Sequence, residues 1–394
     1  MAEPTEPSGE LAATDPLGPL WLERVAASTG FDALARRLGI AGHGTVLMVL
    51  TLPLVDRTVV AGLAYLQTGR VEATVNPIIL STIVLWPLAT FLALWLRDRA
   101  GDIISSVPDP HPSIEESQMT GVQRRALSVM GIDLSGDGGG DPTGASPPRL
   151  LTARMQAVLL LLFVAYHVVA LVVFPPNWSF IQTYWGPTVI AIRHGLFMPA
   201  FYALASQLVA IILAIHVALP LWISETGRLD FADPHGYGGM RPIGNLLKVS
   251  TLLYLAGVTS AAVFFVANIS IEASNLYPDT TVLAGMTGGV VLFFAPAYWL
   301  HRHMRAAKEA RIDDIAEDIR RSGPEDDEEM FPETRANSPD EGIEYTHGYI
   351  QLSQVRSMHE YPIDVSMVQE FLFVLLLPYV AHVSSIYVFE HLHL

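Results

Sequence analysis

Residues 367–389 read MVQEFLFVLLLPYVAHVSSIYVF, a run of 23 residues with one charged side chain, Glu370. Coiled as a helix, a run of this length crosses the ~30 Å hydrocarbon core of a bilayer. It is also studded with Gln369, Pro378, Tyr379, His382, Ser384, Ser385 and Tyr387. A span that only anchors a chain has no use for such groups, because each is costly in hydrocarbon unless it meets a partner or water. The run therefore predicts a membrane helix with polar business along its length.

The rest of the chain repeats the pattern. Of its 394 residues 51% are hydrophobic and 16% charged, and the apolar excess is gathered into long blocks, the signature of a membrane protein. Apolar runs at 45–66, 78–96, 155–174, 196–223, 250–268 and 280–300 join 367–389 to give seven expected spans. The fold class that follows is all-α, a polytopic membrane protein.

There is no cysteine, which excludes disulfides, thiolate catalysis and thiolate-held metal. The net charge is -16, and only Lys248 and Lys308 among the 23 basic residues are lysines. That balance suits a protein kept soluble in concentrated salt, as in halophilic archaea; an ordinary acidic bacterial protein is the alternative. It offers nucleic acid no basic patch. The first 19 residues are polar and acidic and read as a cytoplasmic tail rather than a signal peptide.

Between the runs the chain divides as follows. Residues 1–44 are a tail with an amphipathic lead-in helix over 20–38, and 45–300 hold a six-helix bundle with cytoplasmic loops at 97–152 and 225–248. Residues 301–362 form a helical and acidic cytoplasmic segment, and 363–394 the seventh span with a short outer tail. Ser113-Ile-Glu-Glu116 has the form of a capping box, and SGDGGGDPTGASPP after it is a flexible linker. A charged helix over 301–321 continues the sixth span into water, and a polar helix over 345–360 follows the acidic loop. Pro362 breaks the chain before the last span.

Basic residues set the orientation. They are frequent in the N-terminal tail (Arg24, Arg36, Arg37), in 97–154, in 225–248 and in 302–365. The intervening loops hold only Arg70 and Arg193. This alternation puts the N-terminus inside and the C-terminus outside. The sequons at Asn177 and Asn268 both fall outside, consistent with surface glycosylation.

Several groups are candidates for chemistry. Asp56 and Arg57 lie mid-span, where each charge costs roughly 2.5–3.5 kcal/mol on insertion scales. Adjacent helix positions do not face one another, so they are expected to seek different partners; an ion-pair staple is the alternative. His167 and His216 invite a haem reading, with interhelical hydrogen bonds as the competing use. Asp133-Leu-Ser-Gly-Asp137 starts like a calcium loop, but its twelfth position is Gly144 rather than glutamate, so no metal is expected. Gly285 and Gly289 form a GxxxG face for close packing against another helix, within or between subunits. No nucleotide loop, hydrolase triad, HExxH or intramembrane retinal lysine is present. We therefore expect no enzyme, no catalytic residues and no cofactor.

The inner loop DPHGYGGMRPIG, Asp233 to Gly244, concentrates Pro234, His235, Gly236, Gly238 and Gly239 where a helix enters the membrane. It resembles the cytoplasmic HPDG-x-GGL loop of a family of prokaryotic multi-pass membrane proteins without assigned chemistry. Those also end in a proline-led apolar helix, here Tyr361-Pro-Ile-Asp-Val. In this chain Asp233 and His235 are exchanged around Pro234, and Met240 stands for leucine.

The architecture is similar to that of the insect gustatory and odorant receptor channels: seven spans, a sixth helix prolonged into the cytoplasm and a final span reaching outside. Their final-span TYxxxxxQF signature has no counterpart here. That resemblance implies a homo-tetramer gated by a small molecule, with the last span lining a cation pore. On it Gln369, Tyr379, His382, Ser384 and Ser385 are the pore-lining candidates in an oligomeric channel of the cell membrane. A secondary transporter using Asp56, Arg57, His167 and His216 is the alternative, followed by a haem redox protein or a non-catalytic sensor or scaffold. The expected partners are the lipid bilayer, further copies of the chain and a small-molecule ligand.

Overall fold

The computed structural model describes residues 17–69, 77–106, 121–132, 150–173, 186–226, 229–272, 276–322 and 339–392. Among these residues every regular element is helical and no strand occurs. The capping box at Ser113, the calcium-like loop from Asp133, the sequon at Asn177 and the acidic run 325–333 lie outside the described residues.

The lead-in is two helices rather than one, α1 (Trp21–Ser28) and α2 (Phe31–Arg37). Gly30 divides them at φ 84°, a left-handed conformation that ends α1 and turns the chain. They lie against α3 (Gly44–Thr68). Next come α4 (Pro77–Ser106), the short α5 (Gly121–Val129) and α6 (Ala153–Val173).

The fourth expected span is longer than its apolar run. It starts at Pro187 and continues to Thr226 through two π turns, Arg193–Phe197 and Ala214–Ala218, and we treat it as one helix, α7. Each π turn comes just before a proline, Pro199 and Pro220. A proline cannot donate to the preceding turn, and widening that turn lets the helix continue.

Helix α8 (Arg241–Glu272) begins directly after the glycine-rich loop. Helix α9 (Leu276–Ser322) runs 47 residues, carrying the charged stretch 301–321 without a break. That is about 70 Å at 1.5 Å per residue, far more than a bilayer core needs. Helix α10 (Pro339–Ser357) lies antiparallel against its far end. Ile315, Leu352 and Val355 form the seam, and a Cβ on Gly348 would meet Ile319 at 2.8 Å. Full burial of side chains like these is worth roughly 1.5–3 kcal/mol each.

The last run is two helices, α11 (Val365–Leu375) and α12 (Leu377–Leu392), interrupted at Leu376. Pro378 has no N–H to give the Val374 carbonyl, so the ladder opens there.

Four helices among the described residues are long and apolar enough to cross a membrane: Gly44–Thr68, Pro187–Ser224, Val282–Arg321 and Val365–Ser384. They differ in how much of themselves the chain covers. In α7, 67% of the apolar window is buried; in the last span only 22% is. Helix α8 packs against α4, α7, α9, α11 and α12, which makes it the hub between the core and the last span.

Candidate functional site

Three groups of polar side chains are built into this frame. The first is a junction at the foot of the last span. The loop before α8 places three consecutive demands on glycine, since Gly236, Gly238 and Gly239 all have positive φ (72°, 61° and 79°). Asp233 is the reason the loop closes. Its carboxylate accepts from the backbone N–H groups of His235 (2.9 Å), Tyr237 (3.0 Å) and Gly239 (2.9 Å). Partial burial pulls the Asp233 carboxyl up, but these donors outweigh it and hold the group below the usual carboxylate range.

The closed loop then grips the segment between α10 and α11. The Gly236 carbonyl accepts from His359 N (2.8 Å), and Tyr237 stacks on His359 at 4.5 Å. From α8, Gly244 comes so close that an added Cβ would lie 2.0 Å from the Pro362 carbonyl oxygen. From α9, His301 Nδ1 bonds the Glu360 carbonyl (2.8 Å) and its ring stacks on Tyr361 at 3.9 Å. Lys308 donates to the Met358 carbonyl (2.8 Å). Asp364 then caps α11, accepting from Met367 N (2.8 Å) and Ser366 Oγ (2.6 Å), and Lys248 pairs with Glu370 at 3.0 Å. The Ser366 hydroxyl and the Met367 N–H hold the Asp364 carboxyl below its ordinary value. One short segment is thus bound by a loop and two helices from elsewhere in the chain.

The second group is a pair of histidines that serve backbone freed by proline. Pro296 in α9 cannot donate to Leu292 O four residues back. His216 does so instead: its Nδ1 lies 2.7 Å from that carbonyl. A carbonyl only accepts, so Nδ1 carries the proton and neutral Nε2 accepts from Ser250 Oγ at 2.8 Å. In α7 the π turn puts Pro199 where it would serve the His194 carbonyl, and His167 Nε2 donates to it at 3.1 Å.

The two histidines therefore act at different places. Their contacts on α7 are 22 positions apart, or about 33 Å, too far for one haem. Gly285, Gly288 and Gly289 of α9 face α8, where added Cβ atoms would meet Val258, Tyr254 and Leu255 at 2.6–2.7 Å. The GxxxG face is used within the chain.

The third group is Asp56 and Arg57 in α3. The expectation of separate partners is corrected: Arg57 Nη2 lies 2.9 Å from Asp56 Oδ2, and the side chains are 9% and 0% exposed. Adjacent Cβ atoms diverge, but the long arginine stem reaches back across the helix surface. The first π turn of α7 packs against α3 and brings the Arg193 guanidinium within electrostatic reach of Asp56. The Arg57 Nε and Nη1 donors have no hydrogen-bond partner among the described residues.

The structure divides the pore-lining set. Met367, Phe371, Pro378 and His382 form the buried stripe of the last span, with Phe371 stacked on Phe293 at 4.2 Å. His382 is thus turned into the protomer. Gln369, Tyr379 and Ser384 are on the uncovered side; the Ser385 side chain lies outside the described residues. Among the described residues no cluster of histidine, aspartate and glutamate is arranged to hold a metal ion.

Sequence reasoning placed His301 at the membrane-to-water junction as an interface residue, and gave no role to Gly244, Lys308, Asp364 or Arg193. Only Asp364 carried a local signal, as an acid opening a helix after Pro362.

Fold and site together define an all-helical protein with several helices able to cross a membrane. No family model matches the chain, and comparison with curated proteins and with solved structures found no match.

Proposed function

We propose that the protein is an oligomeric channel of the cell membrane, with seven spans, an inside N-terminus and an outside C-terminus. Copies of the last span surround the conducting path, and cations are the preferred ions. The observation that carries this is the state of that span. It is the least covered of the four membrane-length helices, yet Gln369, Tyr379 and Ser384 stand on its open side. Polar groups facing hydrocarbon are costly, while the same groups around a hydrated axis replace part of an ion's water shell. The backbones of α4, α6 and α8, at 30, 21 and 32 residues, are long enough to supply the remaining three spans. The end of α9 from His301 onward and α10 form a cytoplasmic assembly unit, and the junction at 358–364 ties it to the foot of the last span.

The absence of cysteine makes a clean test. Single Gln369→Cys and Ser384→Cys proteins in liposomes are expected to react with a charged, water-soluble thiol reagent. Leu161→Cys, on the outward face of α6, is expected to stay protected. Reaction at the first two positions should also change ion flux. No flux at any voltage, with all three thiols equally protected, defeats the reading.

A second reading, a secondary transporter, is favoured by the buried Asp56–Arg57 pair with Arg193 beside it. Asp56→Asn would then abolish proton-coupled uptake, whereas a channel with an ion-pair staple would still conduct.

A further inference from the structure

A recess of about 600 Å³ lies between α1 and the start of α6. Its shape is set without any ligand. Gln156 on α6 is 4% exposed and fully engaged: its Oε1 accepts from Trp21 N (3.0 Å), and its Nε2 donates to the Pro19 (3.2 Å) and Leu151 (3.3 Å) carbonyls. Leu17 O accepts from Leu151 N at 2.7 Å, which pins the incoming strand of chain alongside.

The recess is lined by two chemically different groups. Ala157 and Leu160 begin the apolar face of α6, which continues into Leu161 and Leu162, 69% and 59% exposed. From α1 comes Arg24, exposed and in no ion pair with a described residue. The only acid on α1, Glu23, is turned away: its carboxylate accepts from Leu20 N and pairs with Arg97. Arg154 lies just outside, its stem against Gly131 of the rim. In a chain of net charge -16, a cation that no described acid pairs, beside an apolar slot, is a specific arrangement.

We infer that this recess binds one anionic membrane phospholipid, with its phosphate on Arg24 and an acyl chain along Ala157 and Leu160. A guanidinium suits phosphate oxygens, and the indole of Trp21 suits the boundary between headgroup and hydrocarbon. Free phosphate would use Arg24 but gain nothing from the apolar wall, so the lipid is the occupant the whole recess fits. This inference stands apart from the channel reading, since it concerns α1 and α6 and needs no pore.

The test uses the full chain in detergent, with lipids titrated in and retention read by native mass spectrometry. Phosphatidylglycerol should be held roughly tenfold more tightly than phosphatidylcholine, whose quaternary ammonium offsets its phosphate charge and is repelled by the guanidinium, and Arg24→Gln should remove that preference by removing the cation that reads net headgroup charge. Ala157→Trp, which fills the slot, should lower retention of both lipids. Both positions are exposed, so unfolding temperatures without lipid should match the wild type and show that folding is intact. Phosphatidylglycerol retained equally by the wild type and Arg24→Gln overturns the assignment. So does unchanged retention in Ala157→Trp. Inorganic phosphate alone raising the unfolding temperature as much as the lipid would mark a free-anion site and reject the lipid.

Discussion

Helix α7 and the last span both carry polar side chains within membrane-length helices, and they treat them in opposite ways. In α7 the polar groups point inward: Arg193, Ser206, Gln207 and His216 are all buried, and His216 has both ring nitrogens engaged. In the last span Gln369, Tyr379 and Ser384 point away from the rest of the chain, and among the described polar side chains His382 points in. The difference follows from what surrounds each helix. Helix α7 is enclosed, so its polar groups face the inside of the chain, where His216 is fully bonded while the Gln207 amide has no hydrogen-bond partner among the described residues. The last span is open on one side, with no described residue of the chain covering it. A polar residue in a span therefore has two physical meanings, and coverage by neighbours separates them.

The sharpest way to break this contrast is to remove an inward group. His216→Phe leaves the Leu292 carbonyl without a donor and Ser250 without an acceptor, both in a buried setting. An unsatisfied buried group costs about 1–3 kcal/mol, so the protein should lose about 2–4 kcal/mol, read as a lowered thermal midpoint in detergent. Pro296→Ala restores the N–H that bonds Leu292 in an ordinary helix, so the double variant should recover part of the loss. Additive losses in the double variant would show that His216 does not answer to Pro296.

Much of this was legible in the sequence, and the part that was not has a common cause. The apolar runs located the helices because the period and length of hydrophobic residues directly encode burial. The prolonged sixth helix, the polar helix after it and the Pro362 break follow from the same pattern. The partners of His167 and His216 were hidden because each bonds a backbone carbonyl on another helix, and a carbonyl has no residue type to read. The one available clue is positional. A proline leaves an orphan carbonyl four residues back, or five in a π turn, so Pro296 and Pro199 mark where donors are needed. Gly244 was hidden likewise, because what it accommodates is the Pro362 carbonyl from a remote segment.

A second test sharpens the contrast at the junction, where the foot of the open span is held by the closed part of the chain. Asp233→Ala removes the acceptor of three backbone N–H groups, and a loss of about 1–2 kcal/mol is expected. The pH dependence has a definite sign. Because the folded carboxyl titrates below its ordinary value, its stabilisation is fully present above the unfolded pKa, about 3.9, and is lost as pH falls through the folded value. Wild type and variant should therefore differ by a constant amount between pH 5 and 8 and converge below about pH 4. A gap that stays constant down to the lowest pH would show that the carboxylate is not what closes the loop.

The smallest expected effect is the most informative about the open side. Gln369→Leu and Tyr379→Phe remove polar atoms that make no side-chain hydrogen bond with a described residue: Tyr379 is 58% exposed, and Gln369 lies on the same uncovered side. Surface changes of this kind shift stability by about 0.5 kcal/mol or less. Thermal midpoints of the isolated protomer should barely move. The matched inward change, His382→Leu, should lower them, because that ring is 4% exposed and packed within the bundle. If the outward changes instead destabilised the protomer as much as the inward one, the open face would already be satisfied within the chain. The polar groups of the last span would then be structural, like those of α7, and the need for neighbouring copies around an axis would disappear. If the protomer is indifferent while liposome flux falls, those groups serve something that only the assembled, hydrated state contains.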